Sequence, residues 1–346
     1  MTLTIAFLPG DGVGPEVARA AQFVMMAAAE KFEIDLTFVE RPFGGAAIDE
    51  FGDPFPAATK QTCLEADAIF LGAVGGPKWD GADIRPEAGL LALRKKLGVF
   101  ANLRPIQVHA GLEALSPLKE DSVKGVDILI VRELTGGVYF GDREEGREVA
   151  SDVCTYSREE VERVTRVAFD AAKGRRGKVT SVDKANVLAT SRLWRATVND
   201  LHNREYSDIE LEHVLVDAMA MKLIQTPASY DVVLTENMFG DILSDEASVI
   251  AGSIGLAPSA SLGAGRPGLY EPIHGSAPDI AGQDKANPVG AILSAAMMFR
   301  HSLDAPEAAL RIEVIVGDAL NAGVGTADVG GSVKCLDVAK AIASAI

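Results

Sequence analysis

Residues 3–17 read LTIAFLPGDGVGPEV. An apolar run, Thr4–Leu8, is followed by the turn Gly10-Asp11-Gly12-Val13-Gly14 and then by Pro15. Proline suits a first helical position, because its missing N–H would go unpaired there anyway. The order of strand, glycine turn and helix invites a dinucleotide-binding reading. That fingerprint needs glycine at the first, third and sixth positions, and the sixth residue counted from Gly10 is Pro15. The turn therefore reads as a tight strand-to-helix connection, and the fold is not expected to be a Rossmann fold.

Outward from this unit, strand-like and helical patterns alternate. Strands are expected at Thr4–Leu8, Leu36–Val39, Ala68–Ala73, Asp127–Arg132, Lys178–Asp183, Glu212–Val216 and Tyr230–Thr235. Several are continuous Val/Ile/Leu runs, as in strands buried on both faces. Helices are expected at Pro15–Glu30, Glu87–Leu97, Arg158–Lys173, Ser191–Asn203, Gly240–Gly252, Pro288–Phe299 and Ala305–Asn321. The glycine-punctuated segment Glu133–Tyr156 reads as a protruding hairpin. The class is α/β with a mostly parallel or mixed sheet.

Composition narrows the functions. A chain of 346 residues with 48% hydrophobic and 24% charged residues has a sizeable core. Lys+Arg number 33 against 49 Asp+Glu, a net charge of −16. Such a surface repels phosphate backbones, so nucleic acid is not an expected partner. The longest uncharged stretch, Ala247–Gly265, contains four glycines and a proline and is too broken to span a membrane. Cys63, Cys154 and Cys335 are odd in number and widely spaced, which suits free thiols in a reducing compartment. The N-terminus has no basic region or cleavage site, so a cytoplasmic location is expected.

Four groups of residues could carry chemistry. Asp241 and Asp245, four apart on an expected helix, share one face; a hard divalent cation would relieve their repulsion, although a solvated first turn gives the same pattern. Asp217 follows a strand end and could serve as a third ligand or as a helix cap. Arg94, Arg104 and Arg132 could grip carboxylates with their planar forks or form surface ion pairs, and Arg132 ends a strand where α/β sheets place ligands. Lys184 follows another strand end and could be a base or an exposed loop lysine. Tyr139 could donate a proton or pack as a hairpin aromatic. His274 lies in a Gly/Pro-punctuated loop. His109, His202, His213 and His301 show no metal-binding spacing.

LPGDGVGPEV (8–17), NLRP (102–105), VRELTGGVYFG (131–141), VDKANVL (182–188), VDAMAMKLI (216–224), TENMFGDILSDEAS (235–248) and EPIHGSAPDIAG (271–282) together resemble the β-decarboxylating dehydrogenases, the family of isocitrate and isopropylmalate dehydrogenases. The resemblance runs from residue 3 to about residue 300. It implies two domains sharing a large mixed central sheet, one of residues 1–99 and 252–346, the other of residues 100–251 with a dimerisation hairpin near 133–156. It implies that Arg94, Arg104 and Arg132 hold the two carboxylates of a malate portion. Asp217, Asp241 and Asp245 would hold Mg²⁺ or Mn²⁺. Lys184 would take the 2-hydroxyl proton and Tyr139 would return one to C3. Lys184 and Asp217 are expected from the partner subunit of a homodimer. NAD is the implied cofactor, bound by segments Gly76–Glu87 and Gly275–Asn287, with Gly76, Glu87, His274, Gly275, Ser276, Ala277, Asp279, Ile280 and Asn287 as contacts. Leu90 and Leu91, one helical turn before Arg94, suit an isopropyl group. The implied reaction is therefore oxidative decarboxylation of 3-isopropylmalate to 4-methyl-2-oxopentanoate, a step toward leucine. Isocitrate, homoisocitrate and tartrate are the alternative substrates.

Overall fold

The computed structural model describes residues 2–265 and 267–346. In chain order the strands are β1 (Leu3–Gly10), β2 (Leu36–Glu40), β3 (Ala68–Ala73), β4 (Ala101–Gln107), β5 (Asp127–Glu133), β6 (Arg143–Glu144), β7 (Ser151–Asp152), β8 (Lys178–Asp183), β9 (Glu210–Leu215), β10 (Val232–Thr235), β11 (Pro258–Leu262) and β12 (Gly268–Pro272). All but β6 and β7 lie in mixed sheet, five strands in each of two compact units.

The first unit comprises Met1–Val99, His109–Leu115 and Gly252–Ile346. Its strands run β2-β1-β3-β12-β11, parallel except where β11 meets β12. β1 and β3 are apolar and buried along nearly their whole length, because helices cover both faces. Ala6, Leu8, Ile69, Leu71 and Leu269 form one core cluster with Phe43, Phe55 and Leu93. The turn after β1 leads directly into the helix Gly14–Lys31, as its sequence predicts.

The second unit comprises Phe100–Val108 and Ser116–Ala251. Its strands run β4-β5-β10-β8-β9, with β4 antiparallel to β5 and the rest parallel. The helix Arg158–Lys173 opens on a capping box in which Ser157 and Glu160 satisfy each other's backbone N–H. A second core cluster forms around Ile128, Ile130, Val182, Val233 and Leu243.

Several details depart from the sequence reading. The expected hairpin contains only the two-residue strands β6 and β7, paired antiparallel. Tyr139 belongs to a 3-10 turn, Gly137–Tyr139, and not to a hairpin strand. The strand expected at Glu212–Val216 starts at Glu210, and Val216 instead begins the helix Val216–Gln225. The unremarkable C-terminal tail forms the helix Cys335–Ala345, packed on Gly14–Lys31.

Candidate active site

In the second unit the site begins with strand register. Asn102 on β4 lies opposite Arg132 on β5. Opposed residues face the same side of a sheet, and so do residues two apart, so Asn102, Arg104 and Arg132 share one face. After β10 the chain turns into the helix Asn237–Ile250, whose first amides are capped by the Glu236 carboxylate accepting from Phe239 N at 2.7 Å and Met238 N at 3.2 Å. Gly240 lets this helix approach the sheet, since a Cβ there would stand 2.2 Å from Thr235 Oγ1 and 2.7 Å from Arg132 Cγ.

That approach brings Asp241, Ser244 and Asp245, three and four residues apart, against the arginines. Arg104 donates to Ser244 Oγ at 2.6 Å and to Asp245 Oδ1 at 3.1 Å, and its other terminal nitrogen lies 3.4 Å from Asp241 Oδ1. Arg132 pairs with the same Asp241 oxygen. The Tyr139 hydroxyl donates to Asp241 Oδ2 at 3.1 Å. The Arg132 guanidinium lies 5.8 Å from the centre of the Tyr139 ring. Burial pushes the Tyr139 phenol above its ordinary range and the Asp241 carboxylate adds to the shift. Burial also raises the Asp245 carboxyl, against the pull of Arg104.

Asn237 was not singled out in the sequence, yet it is fully buried and joins the parts. Its Oδ1 accepts from Arg132 Nε at 3.1 Å and from Nη2 at 2.7 Å. Its amide donates to the carbonyls of Leu134 and Gly136, both at 3.1 Å. Glu133, also buried, accepts from Thr135 N and Gly136 N and so shapes the loop that carries Tyr139.

Lys184 and Asp217 form a separate pair, with Lys184 Nζ donating to Asp217 Oδ1 at 2.6 Å. That bond holds the Asp217 carboxyl below its usual range. Among the described residues no group of three or more His, Cys, Asp or Glu side chains is assembled for a metal. Within one chain, Asp217 therefore does not join Asp241 and Asp245. The latter two still offer oxygen donors in the class that Mg²⁺ and Mn²⁺ prefer, so the set fits a hard cation that draws its remaining ligands from elsewhere.

In the first unit, Arg94 donates to Glu271 Oε1 at 2.8 Å, and its buried Nε has no partner among the described residues. Leu90 packs on the core cluster and Leu91 is half-buried. The loop after β12 opens onto a cavity of about 530 Å³. His274, Gly275, Ala277, Ile280 and Asn287 line it, as do Val13 and Asp328, which the sequence did not suggest. Ser276 is buried beside it, and Asp279 is exposed on the same loop. Gly76 lines a second cavity with Asp11, and Glu87 comes within 2.5 Å of where a Cβ on Gly75 would lie.

His274 Nδ1 bonds to Gly275 O at 2.9 Å, which assigns the ring proton to Nδ1. Nε2 is left as a buried acceptor with no partner. An unpaired acceptor among the apolar groups of Val13, Ile254 and Ile280 fits a flat heterocycle bearing an N–H donor, such as adenine.

A family model described as isocitrate/isopropylmalate dehydrogenase matches residues 4–342. The 3-isopropylmalate dehydrogenase of Priestia megaterium is 56% identical over 335 residues, 95% of this chain and 90% of its own. That of Streptococcus thermophilus is 52% identical over 344 residues, 99% of each chain. The crystal structure of isocitrate dehydrogenase from Methylococcus capsulatus superposes with a TM-score of 0.90 at 34% identity, covering 99% of both chains. A β-decarboxylating dehydrogenase from Thermococcus kodakarensis gives 0.80 at 37% identity, covering 99% and 96%.

Proposed function

The chain belongs to the isocitrate/isopropylmalate dehydrogenase family, and from that premise we propose that it converts 3-isopropylmalate to 4-methyl-2-oxopentanoate and carbon dioxide with NAD as oxidant, a step in leucine biosynthesis. The observation that carries this reading is the charge balance around Asp241. Arg104 and Arg132 are paired with Asp241 and Asp245, two charges of each sign. A divalent cation and a dicarboxylate add charges that cancel. Asp241 and Asp245 can then turn to the cation while the guanidinium forks turn to carboxylate oxygens. A protein of net charge −16 attracts such a substrate only through a local arrangement of this kind.

Held by Asp241 and Asp245, a hard cation would supply Lewis-acid polarisation at the C2 oxygen, and NAD held beside His274 would supply the hydride acceptor for C2. Lys184 takes the hydroxyl proton as C2 is oxidised. The bond between C3 and its carboxylate then breaks, carbon dioxide leaves, and the bonding electrons move through C2 to its oxygen as an enolate. Tyr139, whose hydroxyl is directed by Asp241, delivers a proton to C3. Arg104 and Arg132 hold the substrate in place during both steps, and Arg94 is assigned the same task. Asn237 keeps Arg132 in its rotamer.

We assign the cavity beside His274 to the adenosine of NAD. Asp279 would accept from the ribose hydroxyls and repel a 2′-phosphate, which favours NAD over NADP by about 100-fold, or ~2.7 kcal/mol. A homodimer is proposed because Met221 and Ile224 on one helix and Ile242 and Val249 on another are apolar and 43–60% exposed. The same helices carry Asp217, Asp241 and Asp245, so a partner seated there can complete a three-carboxylate set. No helix among the described residues is long and apolar enough to cross a membrane. The cytoplasm suits the proposed pathway.

The test is NAD reduction with 3-isopropylmalate, isocitrate and tartrate side by side, with Mg²⁺ and then with EDTA. Turnover of isopropylmalate above the other two, abolished by chelation, is expected. Preference for either other acid moves the substrate assignment, and full activity in EDTA removes the metal.

A further inference from the structure

The turn Gly10–Gly14 touches Gly75, the residue before the segment Gly76–Glu87, and Ser276 within the segment Gly275–Asn287. The Asp11 carboxylate is 6% exposed and accepts three backbone N–H groups. Gly75 N and Gly45 N donate to its Oδ2, each at 2.8 Å, and Ala46 N to its Oδ1 at 2.7 Å. Asp11 N–H donates to Ala73 O at 2.9 Å. Toward the other segment, Val13 N–H donates to Ser276 O at 2.8 Å. The Glu16 carboxylate accepts from Asp284 N at 3.0 Å and also from Gly282 N. Gly12, at φ +57°, is so close to this loop that a Cβ would stand 2.0 Å from Ser276 O.

Nearby Asp49 has the same sign, and among the described residues no cationic side chain pairs with Asp11. Backbone amides therefore compensate the buried charge. A carboxylate has the wrong sign to touch a diphosphate, so any benefit to that ligand must come through the loops it holds. We propose that Asp11 and Glu16 are positioning residues, which through backbone N–H bonds fix Gly75, at the entry to the Gly76–Glu87 segment, and the Gly275–Asn287 segment in the register that receives the dinucleotide. This rests on the dinucleotide assignment made above.

The experiment uses the full chain with Asp11→Asn and Glu16→Gln. An amide replaces one acceptor oxygen by a donor, which meets a backbone N–H head-on and loses a charge-assisted bond. Fluorescence titration should show NADH binding weakened about tenfold or more in each variant. In the ligand-free protein, amide exchange should quicken at Gly75 in Asp11→Asn and at Gly282 in Glu16→Gln. A direct electrostatic role predicts the opposite sign, since removing a negative charge near phosphates tightens binding. Folded variants that bind NADH as well as or better than the parent overturn the proposal. If the parent itself does not bind NADH, the dinucleotide assignment fails, and exchange at Gly75 and Gly282 then decides the positioning role: unchanged rates overturn it. If Asp11→Asn does not fold, half-exposed Glu16 carries both measurements.

Discussion

His274 is held neutral by its surroundings. Burial lowers the pKa of the imidazole, and outweighs the opposite pull of its bond to Gly275 and of Asp328. The unfolded chain takes up a proton at this ring near pH 6.5, and the folded chain only at lower pH. The folded state therefore keeps the full contribution above about pH 6.5 and loses it as the pH falls toward the folded pKa. His274→Gln removes the titrating group at similar size. The drop in Tm between pH 7.5 and 5.5 should be smaller in that variant than in the parent, measured by calorimetry. Equal drops would show that the ring is already solvated. The same residue bears on what the sequence could reveal. A histidine in a Gly/Pro-rich loop was visible as a candidate, but its unpaired Nε2 depends on which walls close around it. Val13 and Asp328, on distant parts of the chain, are two of those walls.

The helix Asn237–Ile250 brings Asp241 and Asp245 to the arginines because one face meets β4 and β5. Asn237→Ala removes both acceptor contacts to Arg132 and leaves the carbonyls of Leu134 and Gly136 without their donor. A buried polar group stripped of its partner costs about 1–3 kcal/mol. The substrate KM should rise and kcat/KM should fall about tenfold or more, with a lower Tm; steady-state kinetics and thermal melting check both. A variant that melts early yet keeps its kinetic constants would make Asn237 a stability residue alone. Elements differed in how legible they were. β1, β3, β5 and β10 announce themselves as apolar runs, and the spacing of Asp241 and Asp245 is visible without coordinates. β4 was missed because Asn102, Arg104 and Pro105 interrupt its apolar pattern, and those polar residues are buried for the site. β11, PSASL, is mostly small and polar yet buried, and in β12, GLYEP, only Leu269 and Tyr270 are apolar between Gly268 and Glu271, so no periodicity marks them. Asn237 was missed for a related reason: its role is set by Arg132, far away in sequence.

For the whole molecule, the proposed dimer makes each site from two chains. One supplies Asp241, Asp245 and Tyr139, and the other Lys184 and Asp217. Lys184→Ala and Asp241→Asn homodimers should both be nearly inactive. Refolded together, about half the dimers are mixed, and each mixed dimer has one intact site. About a quarter of the parent activity should return; mixed dimers verified by mass but inactive would place the site within one chain. The central claim, though, is that oxidation and loss of carbon dioxide are coupled on one substrate. Its most direct test is to follow NADH absorbance and carbon dioxide release together with 3-isopropylmalate and Mg²⁺. Equal amounts of NADH, carbon dioxide and 4-methyl-2-oxopentanoate are predicted. NADH formed without carbon dioxide, or no turnover of this acid, would contradict the account.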